Sequence, residues 1–195
     1  MQKTLTVTDI SQLFKSFSVD SMSNSIKENG SRKASKYKKK SQPAFWLAAN
    51  ENTVQQHKIQ LQLGQLHEKD SLKQYGETYN HTLTDQNTHT IGTHLVLPSK
   101  KGVDLKGRVD AMTNNGTTVV EHKYRSRGLL KYVPIHEKVQ CHMYMYMTGT
   151  KCAHLVETHG QHMHEHTIHF DTPFWDKTLS RIDAHILQEE AKKDM

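Results

Sequence analysis

A run of β-branched residues leads into Glu121 and Lys123 in the segment VVEHKYRSRG (residues 119–128). Residues two apart on a β-strand project from the same face, so this carboxylate and this ammonium are expected side by side. The preceding segment GRVDAM carries Asp110, and the turn sequence NNG separates it from the second strand. A hairpin at this turn would bring Asp110 opposite or diagonal to Glu121.

Two carboxylates and a lysine at one sheet edge suit metal-assisted hydrolysis of a phosphodiester bond. Carboxylates are the hard oxygen ligands that Mg²⁺ prefers, and Mg²⁺ also binds phosphate oxygens. The lysine can stabilise or orient the attacking hydroxide. The alternative is that these residues are solvated charges at strand ends, a pattern that arises by chance in many proteins.

The elements that must position these residues can be read from periodicity and turn signals. A short helix is expected over 4–17, one or two helices within 45–79, and a helix over 135–148 that stops at Gly149. A three-strand meander is expected from THTIGTHLVLP, GVDLKGRVDAM and TTVVEHKY, and a hairpin around Gly160. The last helix should begin at Asp171 or Thr172, with Pro173 in its first turn. The predicted fold class is α/β, with a central mixed β-sheet flanked by helices.

The charge of the chain is concentrated ahead of the predicted domain. Of the 26 Lys and Arg residues, six lie in residues 31–40, which contain no Asp or Glu. We predict an N-terminal segment over 1–42, with a flexible linker at about 21–42, and one domain over 43–195. The basic block could bind phosphate, serve as a nuclear address, or be a solvated linker with no partner.

Composition excludes several other classes. The chain has only two cysteines, Cys141 and Cys152, too few for a disulfide scaffold, a four-thiolate zinc site or an iron–sulfur cluster. No apolar run approaches the ~18 residues of a membrane span, and no signal-peptide core is found at the N-terminus. We expect an intracellular protein of a reducing compartment, in the nucleus or the cytoplasm, with viral origin left open.

The motifs GRVDAM, TVVEHKY, VQCHMYMYMTG and AHLVET occur in the order seen in the PD-(D/E)XK nucleases. The chain resembles the branch that contains phage lambda exonuclease, the YqaJ-like recombinases and the RecB nuclease domains, over about residues 64–182. The resemblance implies a restriction-endonuclease-like core. The chain departs from the family pattern at Val109, because proline often precedes the aspartate in the family. The first 60 residues align with nothing in the family.

By this resemblance, Asp110 and Glu121 are metal ligands, Lys123 is the catalytic lysine and Gln140 is the helix glutamine. Glu68 and the backbone carbonyl of His122 are implied as further metal ligands. One or two Mg²⁺ or Mn²⁺ ions are implied as cofactor.

Three further residues are candidates for contact with DNA. Arg125 and Arg127 follow the lysine in a loop beside the site, and arginine binds phosphate bidentately. Tyr144 lies four residues after Gln140 and hence on the same helix face. For both arginines, ordinary surface charge is the alternative.

The expected function is a metal-dependent deoxyribonuclease that acts on DNA, with exonuclease action on DNA ends in recombination or repair favoured. An endonuclease of the same fold and a non-catalytic nucleic-acid-binding protein remain as alternatives. A third alternative is a histidine-rich metal-binding protein, because His162, His164 and His166 share one face of a strand. A homo-oligomer is compatible with the family, but no pattern in the sequence indicates one.

Overall fold

The computed structural model describes residues 3–14, 62, 64, 66–84, 89–113, 115–130 and 132–193. Its strands are β1 (Lys3–Thr6), β2 (Leu83–Thr84), β3 (Ile91–Val96), β4 (Gly102–Gly107), β5 (Ala111–Thr113), β6 (Thr118–Tyr124), β7 (Cys152–His159) and β8 (His162–His169). Its helices are α1 (7–14), α2 (66–79), α3 (Ile135–Thr148) and α4 (Thr172–Lys193). The predicted linker and residues 45–61 of the predicted helical segment lie outside the described residues.

The strands form two mixed sheets. The three-stranded sheet has the order β1-β4-β3, and the five-stranded sheet has the order β2-β5-β6-β7-β8. Two pairs are parallel, β1 with β4 and β6 with β7, and the remaining pairs are antiparallel. The predicted α/β class with mixed sheet flanked by helices is therefore confirmed, although the sheet is divided in two.

The division of the sheet follows from a break in GVDLKGRVDAM, which the sequence predicts as one strand of a meander. The chain leaves β4 at Gly107 and enters β5 at Ala111, so the two halves of this segment pair with different strands. A Cβ atom on Gly107 would lie 2.6 Å from Val7 Cγ2 and 2.8 Å from Tyr144 Cε1. The backbone thus passes closely between α1 and α3, and this packing separates the two sheets.

Residues 3–14 belong to the same folded unit, although the sequence places the start of the domain near residue 43. Residues 3–6 pair with β4, and the predicted helix over 4–17 is helical only from residue 7. Thr6 and Asp9 cap this helix reciprocally, since each side chain accepts a hydrogen bond from the backbone N–H of the other. Val7, Ile10 and Phe14 are then buried in the main core.

The five-stranded sheet is covered on both faces. One face, together with the three-stranded sheet, packs against α1, α3 and α4 through Val119, Leu155, Met143 and Trp175. The other face packs against α2 in a smaller cluster, formed by Leu72, Tyr75, Ala111, Val120 and Val156. Burial on both faces explains why β6 carries two consecutive apolar residues, Val119 and Val120.

The predicted end of α3 and the predicted start of α4 are both confirmed. Gly149 ends α3 with φ of 72°, the left-handed conformation that glycine adopts at low cost. Asp171 caps α4 by accepting a 3.0 Å hydrogen bond from the Phe174 N–H. Although α4 spans 22 residues, neither it nor any other described helix is long and apolar enough to cross a membrane.

Gly107→Ala should lower the free energy of unfolding by about 1–3 kcal/mol, because the new methyl group meets two buried side chains that cannot move away. Gly92→Ala is the matched control, since its Cβ would contact the nearest atom, Leu105 O, at an ordinary 3.6 Å. Urea unfolding of both variants measures the difference. Equal stabilities for the two variants would contradict the close passage at Gly107.

Candidate active site

The site lies at the edge of β6, where its pairing with β5 ends. The β5–β6 ladder stops at the pair Ala111 and Val120. Extending this register by one residue would place Asp110 opposite Glu121. The Asp110 side chain turns toward the strand instead, and Oδ2 accepts a 2.8 Å hydrogen bond from the His122 N–H. A carboxylate thus occupies the position where the ladder would otherwise continue.

Glu121 is the most buried acidic group of the site, with a side chain only 3% exposed. Its Oε1 accepts a 2.6 Å hydrogen bond from Lys123 Nζ and a 2.7 Å hydrogen bond from Gln140 Nε2. Its Oε2 is buried and has no hydrogen-bond partner among the described residues. One oxygen is therefore fixed by two donors, and the other is left open in a place that water does not solvate.

The charged forms of both carboxylates are destabilised in the site. Burial raises the pKa of Asp110 well above its ordinary value, and the charges of Glu121 and Glu68 raise it further, against the opposing effects of Lys123 and the His122 N–H. Burial also raises the pKa of Glu121, although Lys123 lowers it in part. Pairs of carboxylates with raised pKa values are typical of catalytic and metal-binding sites.

Lys123 remains charged within this acidic group. Burial by itself would lower its pKa, but the charges of Glu121 and Asp110 outweigh burial, so the pKa lies above its ordinary value. The side chain is 25% exposed, while its ammonium donates to the buried Glu121 Oε1. The lysine therefore acts as a fixed positive charge and hydrogen-bond donor, not as a proton acceptor.

The remaining predicted metal ligands lie around the same edge. Glu68, in the first described turns of α2, is close enough for its charge to raise the pKa of both Asp110 and Glu121. The N–H and C=O of one strand residue point to the same side. Since the His122 N–H is bound to Asp110, the His122 carbonyl is directed to this edge as well.

Gln140 and Tyr144 share a helix face, but they lie in different environments. Gln140 is half-buried and bonded to Glu121, whereas Tyr144 is 4% exposed and packs in the main core. Burial raises the pKa of the Tyr144 hydroxyl. Tyr144 has no surface on which DNA could rest, which corrects the sequence-based prediction of a DNA contact there.

Arg125 and Arg127 also lie in different environments. The Arg125 guanidinium donates to Glu157 Oε1 at 2.6 Å through Nε, and to both oxygens of Glu137 at 2.7 and 2.5 Å. Both glutamates are buried, so this arginine joins β6, β7 and α3 internally. It is not placed to hold a DNA phosphate, contrary to the sequence-based prediction. Arg127 is exposed and remains the candidate for that contact.

Sequence reasoning missed the two glutamates that fix the end of β6. Glu157 lies within the apolar segment AHLVETHG and also accepts a 3.0 Å hydrogen bond from the Leu130 N–H. A carboxylate inside a buried strand requires a cationic partner, and this was the available signal. Glu137 gave no such signal, because an acidic residue in the first turn of a helix is ordinary.

No family model matches the chain, and no curated protein matches its sequence. Solved structures do match it. The crystal structure of SSO0001 has a TM-score of 0.58 at 17% identity, over 96% of this chain and 77% of that one. The alkaline exonuclease LHK-Exo from Laribacter hongkongensis has a TM-score of 0.53 at 16% identity, over 68% of this chain and 70% of its own. A phage-related exonuclease from Haemophilus somnus 129PT has a TM-score of 0.50 at 14% identity, over 67% of this chain and 73% of its own.

The chain shares the fold of these two exonucleases. At 16% and 14% identity the likeness concerns the course of the backbone, and it carries no information about individual side chains. Fold alone does not determine function, so the chemistry of this chain has to be argued from Asp110, Glu121, Lys123 and Gln140.

Asp110→Asn should raise the thermal midpoint of unfolding of metal-free protein at neutral pH. The folded pKa of Asp110 lies above the unfolded value of about 3.9, so the wild type loses stability as pH rises through that interval. Asparagine has no such titration and can still accept the His122 N–H. Below pH of about 3.9 the difference should disappear.

Thermal unfolding in EDTA across a pH series would measure this difference. Asp176→Asn, at an exposed position on α4, is the matched control and should leave the midpoint unchanged. An Asp110→Asn midpoint equal to or below that of the wild type at neutral pH would show that the aspartate charge is not destabilising.

Arg125→Ala should lower the free energy of unfolding by about 3–5 kcal/mol, because it leaves two buried carboxylates without their cation. Arg127→Ala, two residues away and exposed, should change it by no more than about 0.5 kcal/mol. Denaturant unfolding of the pair measures both effects. Similar values for the two variants would mean that the Arg125 ion pairs do not hold the end of β6.

Proposed function

We propose that this chain is a divalent-metal-dependent deoxyribonuclease, and that Asp110, Glu121, Lys123 and Gln140 form its active site. The observation that carries the proposal is the buried Glu121, whose Oε1 is fixed by two donors while Oε2 is left without a partner among the described residues. A structural glutamate is expected to have both oxygens satisfied. A glutamate that holds a cation needs one oxygen free.

The side chains of this edge fit Mg²⁺ or Mn²⁺. Asp110, Glu121, Glu68 and the His122 carbonyl offer only oxygen, which is the ligand type that these hard cations prefer. Burial, the largest cause of the raised pKa values of both carboxyls, disfavours their charged forms, which one or two divalent ions would stabilise. When bound, such an ion neutralises charge on the phosphate and lowers the pKa of water.

Lys123 and Gln140 have distinct roles in this proposal. Lys123 keeps a positive charge beside the two carboxylates, so it can stabilise negative charge that develops on the scissile phosphate or on the attacking oxygen. Gln140, from α3, donates to the same Glu121 Oε1 and thereby fixes the orientation of the carboxylate. Both groups are positioned before substrate arrives, which is the arrangement that catalysis by electrostatic stabilisation requires.

DNA is proposed as the substrate because two neighbours in fold are an alkaline exonuclease and a phage-related exonuclease. We favour exonuclease action on DNA ends, in recombination or repair, and propose that exposed Arg127 contacts the backbone beside the site. Endonuclease action is the alternative, because the end preference depends on how the site is enclosed. A non-catalytic DNA-binding role is disfavoured by the complete set of carboxylates, lysine and glutamine.

Lys123→Met should reduce Mg²⁺-dependent cleavage of end-labelled linear duplex DNA by about 100-fold or more, since it removes the charge but keeps the side-chain volume. Lys106→Met, at an exposed position on β4, is the matched control and should retain wild-type activity. EDTA should abolish cleavage by all three proteins. Each variant is first checked by thermal unfolding, so that loss of activity is separated from loss of fold.

Covalently closed circular DNA, assayed in parallel, distinguishes the modes of action. Loss of the linear substrate alone identifies an exonuclease, whereas nicking of the circle identifies an endonuclease. Equal activity of Lys123→Met and wild type would refute the assigned site. Salt-dependent DNA binding without cleavage by the wild type would refute the nuclease assignment and favour the non-catalytic role.

A further inference from the structure

A second cluster of potential metal ligands lies on the opposite face of the five-stranded sheet. His81, His154 and Glu165 each offer one ligand atom, and these atoms lie within 4.8 Å of one another. His154 of β7 pairs with Val120 of β6. Since successive strand residues alternate in direction, His154 lies on the α2 face with Val120, while Glu121 points to the α3 face.

The pairing of β7 with β8 places two of these residues together. Val156 is registered with Glu165, and His154 is registered with Thr167. His154 and Glu165 are therefore diagonal neighbours on one face, and His154 Nδ1 lies 3.6 Å from Glu165 Oε2. A one-residue shift of this register would move Glu165 to the other face.

The third residue, His81, is fixed by the way α2 ends. Asn80 has φ of 55°, and the His81 N–H donates a 2.9 Å hydrogen bond to the Gly76 carbonyl, which together form a Schellman motif. A Cβ atom on Gly76 would lie 2.7 Å from the His81 carbonyl oxygen. Glycine at position 76 thus permits the tight turn that brings His81 over the sheet.

Tyr75 sets the protonation of this cluster. Its buried hydroxyl donates a 2.8 Å hydrogen bond to Glu165 Oε2 and lies 2.6 Å from His154 Nδ1. A hydroxyl has one proton, so it must accept a hydrogen bond from His154 Nδ1–H. The lone pair of His154 is then on Nε2, the form in which a histidine binds metal while its other nitrogen donates to a supporting group.

The cluster is largely shielded from solvent. The side chains of His154 and Glu165 are only 13% and 15% exposed. The hydrogen bonds of the Tyr75 hydroxyl leave His154 Nε2 as the nitrogen that can bind a metal ion.

A cavity of about 290 Å³ gives access to the cluster. It is lined by both histidines and by polar residues of the neighbouring turns, including Thr82, Thr113 and Thr118. The space is ample for water, which occupies about 30 Å³ in the liquid. Solvent can therefore reach the position that the three protein ligands leave unfilled.

We propose that His81, His154 and Glu165 bind one divalent transition-metal ion of the Zn²⁺ class, with water from the cavity as a further ligand. Two imidazoles and one carboxylate form a ligand set that zinc accepts and that Mg²⁺ does not favour. The ion joins the end of α2 to β7 and β8. This site is separate from the carboxylate site and does not depend on its function.

The cluster is also distinct from the histidine-rich face that the sequence singles out. His162 and His164 are exposed, and His166 Nε2 lies 3.3 Å from Glu157 Oε2, within the ion-pair group of Arg125. These histidines alternate with Glu165 along β8 and so face the other side of the sheet. They serve as matched controls.

The test is a titration of the full, untagged chain with Zn²⁺, followed by calorimetry and by thermal unfolding. EDTA-treated protein is first saturated with Mg²⁺, which occupies oxygen ligands and competes poorly for imidazole. Wild type should bind one Zn²⁺ per chain with a rise in the unfolding midpoint. His81→Gln should weaken binding by more than about 100-fold, beyond the loss typical when only a supporting hydrogen bond is removed.

Three further variants complete the test. Glu165→Gln should weaken binding as His81→Gln does, while His164→Gln and Asp110→Asn should leave it unchanged. His81 follows α2 and its backbone alone makes the Schellman hydrogen bond, so His81→Gln should fold even if variants in the sheet do not. Unchanged affinity in His81→Gln would overturn the proposal. Loss of binding in His164→Gln or in Asp110→Asn would overturn it too, by moving the site to the histidine-rich face or to the carboxylates.

Discussion

The hydrogen bond from the His122 N–H to Asp110 is the contact on which the candidate active site depends. It ends the β5–β6 ladder one residue early and replaces a strand partner with a carboxylate. The same replacement opens the edge of β6, so that Glu121, Lys123 and the His122 carbonyl are no longer covered by β5. Without the break between β4 and β5, Asp110 would continue as an ordinary strand residue, and the edge would be paired.

An edge with buried charges must be held rigidly, because solvation cannot stabilise it. The glutamates Glu137 and Glu157 bind Arg125 and so fix the end of β6 to α3 and β7. Gly107 packs so closely against Val7 and Tyr144 that a side chain at position 107 would meet both. The surrounding ion pairs and close packing thus offset the unfavourable electrostatic free energy of placing two like charges together. The same holds in sites where strain serves a function.

The five-stranded sheet presents chemically different groups on its two faces. The α3 face and the β6 edge carry oxygen ligands suited to a hard cation. The α2 face carries two imidazoles and a carboxylate suited to a transition metal, supported by the Tyr75 hydroxyl. The alternation of side chains along β6 and β7 keeps the two sets apart, since residues adjacent in sequence point to opposite faces. The two proposed metal sites on this sheet therefore differ in ligand type and would favour different ions.

The sequence by itself determined the features that depend on neighbours along the chain. Strand period, turn residues and caps predict four features: the pairing of Glu121 with Lys123, the hairpin that brings Asp110 to them, the α/β class, and the helix ends at Gly149 and Asp171.

Tertiary structure alone decided the rest. Arg125 and Arg127 look alike in sequence, and only the fold brings Glu137 and Glu157, 12 and 32 residues away, to the first of them. Likewise, Tyr75 lies 79 and 90 residues from His154 and Glu165, and strand register and the end of α2 bring their side chains together. Such partners cannot be predicted from local sequence pattern, because residues of the same type have the same local signal whether they are buried or exposed. Which side chains meet depends on burial and on long-range strand register in the folded chain.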